Sequence, residues 1–173
     1  TRLKKKYNNK KILDIIDNFS NLEVTMTGDA LIDNYCYVNA LGLTAKSPTI
    51  SSEYLYEEKY FGGVFATAEM LAALGSKVNL ILYNFKDKKL KNLCNNLNKN
   101  IKVFFLSSAN KKNILPIKTR FLNKTRDQKL FQISNIDKMQ LSHNEEKKYL
   151  NIIEKCIKKN SFLIHLDFGF GVF

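Results

Sequence analysis

The chain has 173 residues, 45% of them hydrophobic, with a formal net charge of +12; that suffices for one domain with a core and excludes wholesale disorder. Cys36, Cys94 and Cys156 are scattered and odd in number, and His143 and His165 have no cluster of acidic or thiol partners, which excludes a disulfide framework and argues against a structural zinc site. The positive charge is spread through Lys4–Lys11, Lys86–Lys91, Lys111–Lys112 and Lys147–Lys159, a pattern of solvated faces that argues against a nucleic-acid partner.

The N-terminus is basic, but Asn8, Asn9, Lys10 and Lys11 follow where an export signal needs an apolar stretch. No segment has the apolar length to span a bilayer, so a soluble, cytoplasmic protein is expected. Residues 8–19 place Ile12, Leu13, Ile15, Ile16 and Phe19 on one helical face, which predicts an amphipathic lead-in helix ending near Asn18–Asn21 and a boundary at residue 21. Leu22 to Gly28 alternates apolar and polar positions and stops at a glycine, as a strand reaching a turn does.

Residues 35–60 are rich in tyrosine and β-branched positions, with Pro48 between them. They predict two or three short strands, Tyr35–Leu41 and Ser51–Tyr60, forming a flap. Gly62-Gly63 opens a helix through Leu74, with Gly75 at the expected C-terminal cap. Val78–Tyr83 reads as a strand, Asp87–Leu97 as a helix and Ile101–Leu106 as a strand. The rhythm breaks at 114–136, where Pro116–Leu122 and Gln128–Ser134 read as paired strands around Asn123–Asp127. A helix over Ser142–Lys159 starts with a capping box, Ser142 and Glu145. Ser161–Leu166 is the last strand, and Asp167-Phe-Gly-Phe-Gly171 follows it. Alternating strands and helices predict an α/β fold, a mostly parallel sheet flanked by helices.

Ligands of open α/β sheets bind beyond the carboxyl ends of the strands. Gly28-Asp29 through Asp33, Gly62-Gly63 and Asp167 through Gly171 all fall there on this reading. Two carboxylates leaving a strand suit adjacent hydroxyls of a polyol, although a turn cap at Asp29 and an exposed Asp33 would fit the spacing equally. A Gly-Gly pair before a helix lets backbone amides approach a ligand; a tight turn requiring positive φ explains it as well.

Gly28-Asp29-x-x-x-Asp33, the tyrosine-rich flap, and Gly62-Gly63 running into Leu71-Ala-Ala-Leu-Gly75 together resemble the opening of PfkB (ribokinase-type) carbohydrate kinases. Lys118-Thr-Arg120 with Gln128-Lys-Leu130, and Asp167-Phe-Gly-x-Gly171, are similar to segments of the heptose-phosphate kinase branch. The resemblance covers residues 22–173 and extends to kinase-like domains fused to cytidylyltransferases. It implies a ribokinase-like (Rossmann-like) sheet with a small β-lid from residues 35–60 and 114–136, and a sugar or sugar phosphate as ligand. Asp33 would bind hydroxyls, with Asp29 shaping the pocket, Gly62 and Gly63 offering backbone contact, Asp167 on the rim, and Lys118 and Arg120 facing a phosphate. It further implies a homodimer through the lid.

Two positions depart from the pattern. Ala66 stands where the family has a sugar-binding asparagine, and Phe170 where it has a basic residue or histidine. The family's catalytic Gly-Ala-Gly-Asp motif is missing, there is no P-loop, and Thr1 is not a methionine. The expectation is therefore a piece cut before the ATP-binding half, with no catalytic residue and no kinase activity alone. ATP and magnesium would belong to the complete family member, and a nucleotidyltransferase domain would precede Thr1 in the fused form.

Overall fold

The structure, a computed structural model, describes residues 7–83, 88–106, 115–136, 141–157 and 162–170. Helix α1 (Asn9–Asp17) continues into a 3-10 turn at Asn18–Asn21. The periodicity of its apolar residues is as expected. Their environment is not, because Ile12, Leu13, Ile15 and Ile16 are all exposed.

Two four-stranded sheets follow. The main sheet has the order β5-β4-β1-β8, from β1 (Glu23–Gly28), β4 (Lys77–Tyr83), β5 (Ile101–Leu106) and β8 (Phe162–Leu166). Every pairing in it is parallel. Side chains alternate across a strand, yet Val24, Thr25, Met26 and Thr27 are all buried, so β1 is covered on both faces.

Helix α2 (Val64–Ala73) buries Val64, Phe65, Ala68, Leu71 and Ala72 in this core. Each large apolar side chain so buried contributes about 1.5–3 kcal/mol. Helix α3 (Lys88–Cys94) adds Leu90 to the core, and α4 (His143–Cys156) adds Tyr149 and Cys156. The capping box of α4 forms: the backbone N–H of Ser142 donates to Glu145 Oε2 at 2.9 Å. Expected helix and strand ends at Asp87, Lys158, Lys159 and Ser161 lie outside the described residues.

The second sheet is the lid, ordered β3-β2-β6-β7. Here the strand lengths differ from expectation. β2 (Ala30–Leu43) and β3 (Ile50–Gly63) are 14 residues each and pair antiparallel along their whole length. Asp33 is therefore in mid-strand, not in a turn after β1. Burial alternates from Ile32 onward and runs through Asp33, because a strand with one polar face accommodates a carboxylate. Pro48 lies in the connection, where the backbone N–H of Thr44 donates to the Thr49 carbonyl at 2.9 Å. β6 (Ile117–Asn123) and β7 (Gln128–Asn135) form the expected antiparallel pair, with β6 parallel to β2.

Among the described residues no group of three His, Cys, Asp or Glu could hold a metal ion. His143 does have an acidic neighbour, Glu146 at 3.4 Å, on the exposed surface. None of the three cysteines is in a disulfide. No described helix is long and apolar enough to cross a membrane.

Candidate functional site

The site is built where the lid meets the carboxyl ends of the parallel strands. β1 ends at Gly28 with φ 138°, where a Cβ would overlap the carbonyl of Leu166. Glycine is required there by close approach as well as by φ. Asp29 follows, completely buried. Its backbone N–H donates to the Leu166 carbonyl and its own carbonyl accepts from Val64, both at 3.0 Å.

The Asp29 carboxylate turns toward the loop after β8. Oδ2 accepts from the backbone N–H groups of Phe168 at 2.8 Å and Phe170 at 3.2 Å. Asp29 thus ties β1, the start of α2 and the 167–170 loop together, shaping the rim from inside. Asp167 is exposed on that loop and accepts from the Gly169 N–H at 2.7 Å. Gly171 lies outside the described residues.

Strand alternation and register put one set of lid side chains on a common face. Asp33 is opposite Lys118 on β6 and Tyr60 on β3, and Tyr35 is opposite Arg120 and Glu58. Asp33 Oδ1 accepts from Arg120 Nη1 in an ion pair about one-fifth exposed on each side. The guanidinium lies 5.3 Å from the centre of the Tyr35 ring, and Tyr60 meets Tyr35 edge-on at 5.6 Å. Farther along, Glu58 accepts from the hydroxyls of Tyr37 and Tyr60. That bond, with burial and the carboxylate charge behind it, pushes the Tyr37 hydroxyl up to about 12.

The Lys118 ammonium is 4.8 Å from the centre of the Phe170 ring. Phe170, a departure from the family pattern, is a buried seat for a cation arriving from the lid. Ala66, the other departure, is exposed on the first turn of α2.

Gly62 and Gly63 close the site from β3. A Cβ at Gly62 would lie 2.6 Å from Asp33 Oδ2 and overlap Leu31. Gly63 caps α2 with φ 60° and ψ −135°, its missing Cβ leaving space for the Asp29 carbonyl. Both glycines permit internal packing around the carboxylates. The first N–H of α2 is already engaged by Asp29.

Asp33, Lys118 and Arg120 therefore share a face, with Gly62 against Asp33, while Asp29 and Asp167 belong to the rim. Missed in the sequence were Phe170 as a partner of Lys118, and Tyr35 and Tyr60 as partners in the Asp33 neighbourhood. The two-residue alternation from Ile32 to Val38 carries the signal for the tyrosines; none marks Phe170.

No protein-family model matches the sequence, and no curated protein shows significant similarity to it. Solved structures do match. A carbohydrate kinase from Agrobacterium tumefaciens is 18% identical, with a TM-score of 0.59 over 83% of this chain and 45% of that one. Phosphofructokinase-2 from Escherichia coli in complex with fructose-6-phosphate is 12% identical, with a TM-score of 0.57 over 84% and 45%. The tetrameric inhibited form of the same enzyme gives 14% and 0.54 over 84% and 44%. The chain spans less than half the length of each of these structures. At these identities the likeness is one of fold, and the fold is the ribokinase-like α/β fold.

Proposed function

We propose that this chain is the substrate-binding part of a PfkB-type carbohydrate kinase, taking a sugar that already carries a phosphate, of the heptose-phosphate kind. The observation that carries the reading is the grouping of Asp33, Arg120 and Lys118 on one lid face beside the 167–170 loop. A carboxylate accepts from vicinal hydroxyls, and long cations suit a phosphate. The Asp33–Arg120 pair is partly exposed, so a ligand can exchange with it: hydroxyls to Asp33, anion to the cations. Phosphoryl transfer needs positioning and charge stabilisation around the transferred group. In this proposal ATP, magnesium and the catalytic base come from a further half of the fold, and the chain alone turns nothing over.

The opposite lid face fits a second copy of this chain. Cys36, Val38, Ile50, Ser52, Tyr54, Phe121 and Phe131 line a shallow cavity of about 270 Å³ there. Ile50, Tyr54, Phe131 and Ile133 are exposed around it, an apolar surface of the kind subunit contacts cover.

A second reading is a kinase-like ligand-binding or dimerisation module, without chemistry, of a cytidylyltransferase-linked protein of sugar-nucleotide biosynthesis. Ala66 favours it, since the first turn of α2 then offers no polar side chain at that position.

Saturation-transfer NMR with a heptose 7-phosphate, fructose 6-phosphate and ATP tests the first reading. Transfer to a sugar phosphate and none to ATP is expected. Transfer to ATP alone, or to none of the three, contradicts it.

A further inference from the structure

The two cations beside Asp33 on the lid have different surroundings. Arg120 is engaged by Asp33 and lies over Tyr35. Lys118, one step nearer the main sheet on β6, has no carboxylate within ion-pair distance among the described residues, and its ammonium rests on the Phe170 ring. A ring face holds a cation without neutralising it and leaves its N–H donors for another acceptor.

Phe170 is itself fixed. Its side chain is 4% exposed, and its backbone N–H is bonded to Asp29 Oδ2, which also takes Phe168. Gly169 between them has φ 78°, a conformation that lets two nearby amides converge on one oxygen. The path runs from buried Asp29 through the loop to the Phe170 ring and on to Lys118. It also joins the main sheet to the lid.

We infer that Phe170 is a positioning residue that holds Lys118 as the anion seat of the pocket, with Asp29 fixing Phe170, while Arg120 serves mainly to orient Asp33. This rests on the proposal that the pocket takes a phosphorylated sugar. A residue without charge thereby sets the preference for a charged substrate.

Two readouts on the full chain test it. In the first, lysines are reductively methylated with a 13C label, and Lys118→Arg identifies the Lys118 signal by its disappearance. A ring-current displacement of that signal in the parent chain, abolished in Phe170→Leu, is expected. A Lys118 signal that is undisplaced, or displaced equally in Phe170→Leu, overturns the positioning role whatever sugars do. Circular dichroism of Phe170→Leu checks that it folds; if it does not, Asp29→Asn, which weakens the hold on the loop, replaces it in the same comparison.

In the second, dissociation constants are measured for a heptose 7-phosphate and for the same heptose without phosphate. The preference for the phosphorylated sugar is expected to fall at least fivefold in Phe170→Leu and at least as far in Lys118→Gln. An unchanged preference in both variants overturns the anion seat. A parent chain with no preference at all overturns the proposed substrate and the seat with it, while the lysine signal alone then decides the positioning role.

Discussion

Asp33 and Arg120 are not register partners: Asp33 stands opposite Lys118, and Arg120 reaches diagonally from two residues farther along β6 to pair with it. The diagonal leaves Lys118 to the Phe170 ring. One lid face thus carries a paired carboxylate and a cation with no carboxylate partner among the described residues, side by side.

If Asp33 binds sugar hydroxyls, Asp33→Ala weakens sugar binding by about 1.5–3 kcal/mol, the usual worth of hydrogen bonds to a charged group. Titration calorimetry reads this directly. Arg120→Ala is expected to weaken binding less than Asp33→Ala, because it leaves the carboxylate in place.

Gly62→Ala introduces a Cβ 2.6 Å from Asp33 Oδ2 and into Leu31. Overpacking of this kind costs about 1–3 kcal/mol. Urea unfolding is expected to show a lower midpoint, and sugar affinity is expected to fall with it as Asp33 is displaced. Full stability in this variant would contradict the packing described for the pair.

Asp29→Ala leaves the amide of buried Phe170 without its acceptor, which costs roughly 1–3 kcal/mol. Amide hydrogen exchange is expected to accelerate at Phe168 and Phe170. The same exchange rates as in the parent chain would remove Asp29 from its role at the rim.

The fold also sets a response to high pH. Burial pushes the Cys94 thiol up to about 11 and the Tyr149 hydroxyl up to about 12, against the ordinary 9.0 and 10.0. The folded chain then holds protons that the unfolded chain has released, so stability falls as pH rises through the interval from about 9 to about 12. The thermal midpoint is expected to decline across that range and to decline less steeply in Cys94→Ala. A midpoint flat to pH 12 would contradict the burial of both groups.

Much of this was legible in the sequence where local patterns and tertiary demands agree. β1, β4 and β5 are short apolar runs, and the Ser142–Glu145 box marks the start of α4. Gly28 and Gly63 mark turns that a Cβ would block. The lid strands are longer than expected because Asp33 and Gly62 look like punctuation, whereas pairing with β6 and β2 carries the strands through them. The exposed face of α1 was illegible for another reason: periodicity reports which residues share a face, never whether anything covers it. The Phe170–Lys118 contact joins residues 52 positions apart in chain order, and it depends on the pairing of β6 with β2, of β8 with β1, and on the Asp29 hold on the loop after β8.

If Asp33, Lys118 and Arg120 form the proposed sugar-phosphate pocket, isothermal titration of the parent chain and Asp33→Ala with a heptose 7-phosphate, and separately with ATP and magnesium, decides it. Saturable sugar-phosphate binding, weakened in Asp33→Ala, and no heat from ATP are expected. Equal sugar-phosphate affinity in both proteins, or binding of ATP alone, would contradict it.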